Sequence, residues 1–188
     1  MDKKILLAAC GAAALGCSPA PDNLPNIVFI LADDLGWGDL GCYGQTRFDT
    51  PNIDSLAARG LRFTQCYSGT AVSAPSRSCL VTGTHSGHTP VRGNFEIYPE
   101  GQFPLPDSVG TIFKDLRTAG YRTGAFGKWG LGVVGSSGDP SVQGIDEFFG
   151  YNCQRLAHSY YPDHLWDNSV RVDLPDNRDG IPYGSGSY

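Results

Sequence analysis

Asn26-Ile27-Val28-Phe29-Ile30-Leu31-Ala32-Asp33-Asp34 is an unbroken apolar run that stops at two adjacent carboxylates. It is rich in β-branched residues, too short for a helix, and shows no polar alternation. Such a run reads as a strand of a parallel sheet buried on both faces. Working outward, Thr50-Pro51-Asn52 opens a helix, with a hydroxyl cap and Pro at the first helical position. Gly60 closes it. Residues 61–67 alternate enough for a second strand, and 75–81 suit a short helix stopped near Gly83. A clearer helix starts at a cap on Asp107 or Ser108. It places Val109, Ile112, Phe113 and Leu116 on one face and ends at Gly120. Residues 121–126 form a third strand ending at Gly127-Lys128. Strands alternating with helices predict an α/β layered fold with a mostly parallel central sheet.

Composition narrows the function classes. The 188 residues carry 14 Lys+Arg against 19 Asp+Glu, a formal net charge of −5. No basic excess exists to neutralise a nucleic-acid backbone, so nucleic acid is not an expected partner. Forty per cent hydrophobic and 11% aromatic content exclude a disordered chain. The 25 Gly and 13 Pro point to a loop-rich body without internal repeats.

The N-terminus reads as an address. Lys3 and Lys4 precede a short apolar stretch, 5–15, that is too short to span a bilayer. Ala14-Leu15-Gly16-Cys17 resembles a bacterial lipobox. The expectation is a lipoprotein-type signal at 1–16, a lipid on Cys17 as the one membrane attachment, and a tether at 17–25. The protein would then be exported to the periplasm or outer membrane of a Gram-negative bacterium. Cys42, Cys66, Cys79 and Cys153 remain beyond the anchor. An oxidising compartment permits disulfides, but spacing alone fixes no pairing.

Ligands of open α/β sheets bind outside the carboxyl ends of the strands. Asp33-Asp34, Ser73 and Lys128 each follow an expected strand, so they are expected to converge. Adjacent carboxylates are hard oxygen donors that suit Ca²⁺ or Mg²⁺, although a plain pair of loop aspartates fits the pattern equally. Ser73-Ala-Pro-Ser-Arg77 puts a hydroxyl at a helix start, where free N–H groups favour an anion and Arg77 adds a guanidinium one turn inside. His85 and His88, three apart and followed by Arg92, could line the same site.

Taken together, three stretches resemble the type I, formylglycine-dependent sulfatases of the arylsulfatase kind. The first is 26–44 with its continuation Thr50-Pro-Asn-Ile-Asp-Ser-Leu-Ala-Ala-Arg-Gly60; the second is Ser73-Ala-Pro-Ser-Arg-Ser-Cys-Leu-Val-Thr-Gly83; the third is Gly127-Lys-Trp-Gly-Leu-Gly132. The second is similar to the maturation signature of that family, in its bacterial Ser-type form. The resemblance implies an alkaline-phosphatase-like layered fold and hydrolysis of a sulfated glycan or aryl sulfate. It implies that an anaerobic radical-SAM maturase oxidises Ser73 to formylglycine. The hydrated aldehyde would attack sulfur through one hydroxyl and expel sulfate by deprotonation of the other. Asp33, Asp34 and the modified Ser73 would hold one Ca²⁺, Arg77 would stabilise the hydrated aldehyde, and Lys128 would hold sulfate.

Two departures follow from the same resemblance. Gly130 stands where many members carry a His; either His85 or His88 substitutes, or another base serves, and His88 is the one offered as the catalytic base. His158, in Tyr151-Asn-Cys-Gln-Arg-Leu-Ala-His158, is the residue placed nearest to substrate. Further metal ligands and a His and Lys near the leaving group match nothing within 188 residues. The chain therefore reads as the N-terminal, incomplete part of the catalytic domain, 26–188. The competing readings are a phosphatase or phosphodiesterase with unmodified Ser73, and an inactive anion-binding fragment.

Overall fold

The computed structural model describes residues 24–158 and 160–177. The expected signal segment, Cys17 and most of the tether lie outside the described residues. The chain divides into two units, Met1–Gly36 and Trp37–Tyr188.

In the first unit, residues 26–32 carry no regular secondary structure and form no strand, which corrects the opening expectation. A parallel strand buried on both faces needs ladder partners and a layer on each side. Here Val28 is 82% and Ile30 84% exposed, so neither condition is met. Asp33 and Asp34 end this run, and Asp34 adopts a left-handed backbone with φ 56°.

The second unit opens with two 3₁₀ turns, Trp37–Asp39 and Gly41–Tyr43, followed by helix α1, Pro51–Arg59. Thr50 and Pro51 start α1 as expected, but the Thr50 hydroxyl does not cap it. It accepts from Gly41 N–H at 2.8 Å and donates to Asp54 Oδ1 at 3.0 Å. Asp54 Oδ1 also accepts from Cys42 N–H at 2.7 Å, so the first turn of α1 clamps the preceding 3₁₀ turn. Gly60 follows in an extended conformation. The expected strand at 61–67 is absent: the segment is irregular, with Leu61, Phe63 and Tyr67 exposed. Apolar alternation without a neighbouring strand makes no ladder.

Helix α2, Ser73–Thr82, starts two residues earlier than expected, so Ser73 is its first residue. Gly83 ends it in the left-handed conformation. Helix α3, Ile112–Thr118, is capped by Thr111 and not by Asp107 or Ser108. Thr111 Oγ1 accepts from Lys114 N–H and donates to Gln143 O at 2.7 Å. Strand β1, Gly124–Lys128, begins three residues after the expected start.

Strand β1 pairs in parallel with β2, Glu147–Tyr151, placing Lys128 opposite Tyr151. Gly150 permits this pairing at close range, because a Cβ there would lie 2.7 Å from the carbonyl carbon of Gly127. Helix α4, Gln154–His158, follows β2. Strands β3, His164–Asp167, and β4, Val170–Asp173, then form an antiparallel hairpin turned at Asn168 and Ser169, with Asn168 at φ 51°. The order is β1-β2-β3-β4. The α/β class stands, but the sheet is mixed. Among the described residues β1 and β2 pair in parallel, whereas β2–β3 and β3–β4 are antiparallel, the last pair joined by a tight turn.

The core joins α2, the loops and the sheet. Ala74, Val81, Val91, Leu105, Trp129, Leu131, Ile145 and Phe148 form one buried cluster, with Phe113 of α3 packed against it. Trp129 Nε1 donates to Gly138 O at 2.8 Å, so the indole is buried with its polar atom paired. This cluster fixes the ends of α2 and β1 against each other. Cys42, Cys66 and Cys79 are free thiols, and Cys153 Sγ lies 3.7 Å from Glu96 Oε1.

Candidate active site

Ser73 is half-buried at the N-terminus of α2. The next N–H, of Ala74, donates to Asn94 Oδ1 at 2.8 Å. Asn94 therefore anchors the helix start from outside, where Val72 supplies no capping side chain. Arg77 stands one turn further on the same face, and its Nε–H donates to Ser73 Oγ at 3.1 Å. Its Nη1 donates to the backbone oxygen of Lys128 at 2.6 Å. One guanidinium thus ties the serine to the carboxyl end of β1, and the cationic fork remains beside the hydroxyl.

The strand pairing brings a second segment to the same place. Trp129 N–H donates to Tyr151 O at 2.9 Å, which continues the β1–β2 alignment into 128–130 and 151–154. Gln154, the first residue of α4, is 3% exposed, and its Oε1 lies 3.4 Å from Ser73 Oγ. Its Nε2 has no hydrogen-bond partner. Gly130 has φ 73°, and a Cβ there would lie 2.7 Å from Gln154 Cδ and closer still to Nε2. Glycine at 130 is required twice over, by backbone and by space.

Of the residues singled out from sequence, Ser73, Arg77 and the backbone of Lys128 come together. His88 is exposed in a turn closed by its own N–H to His85 O at 2.8 Å, and no hydrogen bond joins its ring to Ser73, Arg77 or Gln154. His158 is the last residue of α4, half-buried. Sequence reading missed Asn94 and Gln154. The glycine at 130 was the available sign of Gln154, since it leaves a volume for another side chain to fill.

Asp33 and Asp34 belong to the first unit. As hard oxygen donors they suit calcium in kind, but calcium takes about six to eight oxygens. Among the described residues no three His, Cys, Asp or Glu side chains gather as a metal site. The donors present match calcium in chemistry and fall short in number. A separate hollow lined by Gly41, Cys42, Asp54, Ala57, Ala58 and Arg62 shares no residue with the Ser73 cluster. Its carboxylate is already committed to the Thr50 and Cys42 hydrogen bonds.

An α/β fold with a serine hydroxyl and a guanidinium at a helix start is the class of architecture that receives oxyanions. Comparison with known proteins narrows it. The family profile named Sulfatase matches residues 25–178. The chain belongs to the sulfatase family. It is 46% identical to human (Homo sapiens) arylsulfatase A over 142 residues, covering 73% of this chain and 27% of that protein. It is 37% identical to N-acetylgalactosamine-6-sulfatase of Canis lupus familiaris over 185 residues, covering 93% of this chain and 33% of that one. A solved Bacteroides thetaiotaomicron structure, designated 6S-sulf and described with the metabolism of multiple glycosaminoglycans, superposes with a TM-score of 0.68 at 33% identity. It covers 81% of this chain and 33% of its own. Ps i-CgsB in complex with k-i-k-neocarrahexaose superposes at 0.62 and 30% identity, covering 76% of this chain and 36% of its own. These neighbours share the alkaline-phosphatase-like layered fold. The chain spans 27% of the first relative's length and 33% of the second's.

Proposed function

We propose that the protein to which this chain belongs hydrolyses sulfate esters of a glycan, with Ser73 as the residue converted to formylglycine. The observation that carries this reading is the Arg77 Nε contact to Ser73 Oγ at the start of α2, in a chain of the sulfatase family. A hydrated aldehyde at 73 supplies one hydroxyl to attack sulfur and another whose deprotonation releases sulfate. Arg77 holds the reacting oxygen and presents positive charge where negative charge grows. Lys128, at the end of β1, brings an ammonium to the sulfate group. Two relatives, an N-acetylgalactosamine-6-sulfatase and a protein solved with neocarrahexaose, support a sulfated sugar as substrate.

Asp33 and Asp34 are hard oxygen donors of the kind that would hold a calcium ion, whose chemistry is to polarise a bound ester. His88 and His158 are assigned supporting roles as base and substrate contact. The maturing partner is an anaerobic radical-SAM enzyme. A lipoprotein-type signal at 1–16 directs export to the periplasm or outer membrane, and Cys17 carries the lipid.

The test is turnover of an aryl sulfate and of a sulfated oligosaccharide by the full-length protein from its own host. Release of inorganic sulfate that disappears in Ser73→Ala supports the reading. Hydrolysis of phosphate esters alone by unmodified Ser73 overturns it in favour of a phosphohydrolase.

A further inference from the structure

Gln154 is buried at the start of α4, yet half of its amide is unused. Oε1 faces Ser73 Oγ at 3.4 Å, while Nε2 has no partner and occupies the volume above Gly130. A buried N–H without an acceptor is costly, and a ligand oxygen would remove that cost. Arg77 Nε–H donates to the same Ser73 Oγ at 3.1 Å, so the serine oxygen contacts both a cationic donor and an amide. The Lys128–Gly130 turn and the Tyr151–Gln154 segment are held in register by the Trp129 N–H to Tyr151 O bond. The amide is therefore fixed by the sheet.

We propose that the Gln154 carboxamide, seated in the space that a side chain at 130 would otherwise fill, orients the side chain at 73 and donates an N–H to the sulfate group. The Ser73 hydroxyl, or one hydroxyl of its hydrated aldehyde, donates to Oε1. This aligns the remaining lone pairs with the incoming sulfur. The Nε2 N–H points away from that bond and receives an anionic oxygen. Glycine at 130 and glutamine at 154 are one device, because the first makes room for the second. The assignment of sulfate rests on the reading given under Proposed function.

The experiment uses the full-length protein and the variants Gln154→Ala, Gln154→Glu, Gly130→Ala and the Gly130→Ala/Gln154→Ala pair. Thermal midpoints form a double-mutant cycle. Backbone strain at 130 is common to both backgrounds and cancels. The cost of Gly130→Ala is expected to be smaller when Gln154 is already truncated. Titration with inorganic sulfate is expected to show roughly tenfold weaker binding in Gln154→Ala. Gln154→Glu, which keeps an acceptor for Ser73 but replaces the donor, loses at least as much. Peptide mass at Ser73 confirms equal maturation across the set. An additive cycle together with unchanged sulfate affinity overturns the inference. A parent that turns over aryl sulfate, beside Gln154 variants matching it in kcat, KM and sulfate binding, sinks the inference alone. A parent without sulfatase turnover but with Gln154-dependent sulfate binding sinks the functional reading and leaves the anion contact standing.

Discussion

Arg77 and Lys128 lie 51 residues apart in sequence and are joined by a 2.6 Å bond from the guanidinium to a backbone oxygen. The bond locks α2 to the end of β1 at the point where Ser73 is presented. Arg77→Ala leaves the Lys128 oxygen without this donor and removes the charge beside Ser73. Hydrogen bonds to charged groups contribute about 1.5–3 kcal/mol, so urea unfolding should show a loss of that order. Arg77→Lys restores the charge but cannot reach both acceptors with one planar fork. It should recover less than half of the lost stability.

Thr111 serves two elements at once. It caps α3 through Lys114 N–H and reaches Gln143 O. Thr111→Ala should cost about 1–2 kcal/mol, the upper part of the range for losing a cap, because a buried carbonyl loses its donor as well. Thr111→Ser keeps both bonds and loses only a buried methyl group, about 0.8 kcal/mol, so it should cost less than the alanine variant. The urea midpoints of the two variants decide it.

His164 is buried between two carboxylates, with Nε2 2.6 Å from Glu100 Oε2 and Nδ1 2.6 Å from Asp163 Oδ1. Burial alone pushes the imidazole down, but the hydrogen bonds to Glu100 and Asp163 outweigh it and raise its pKa above 6.5. A raised histidine stabilises fully below its unfolded value of 6.5. That contribution is lost as pH rises from 6.5 through the folded value. Unfolding free energy should therefore decline as pH rises above 6.5. His164→Gln, which does not titrate, should flatten this part of the profile.

Leu131 is fully buried in the cluster that carries Trp129 and Ala74. Leu131→Ala should cost about 2–5 kcal/mol through lost transfer energy and the cavity left behind. Because this cluster holds the ends of α2 and β1 together, sulfate affinity should fall in the same variant. Leu131→Met, close in volume, should spare both.

Local chemistry was legible in the sequence. Pro51 after Thr50 marked α1, and Ser73-Ala-Pro-Ser-Arg77 marked the start of α2 with the serine and arginine on one face. What depends on distant partners was not. The run 26–32 announces burial but not what buries it, and in the structure it stays exposed. Thr111 displaced Asp107 and Ser108 as the cap because Gln143, far along the chain, offered its oxygen. Gln154 came to Ser73 only through the β1–β2 register, which no local pattern encodes. The hairpin turn at Asn168 was likewise unread, and with it the antiparallel half of the sheet.

The central claim is that residue 73 is the one made reactive. The most direct measurement is the mass of the peptide containing Ser73, from the full-length protein made in its own host with an active maturase. The account predicts a peptide lighter by two hydrogens, the signature of an aldehyde in place of the alcohol. A peptide retaining the intact serine, in a host whose maturase converts its other targets, would contradict it.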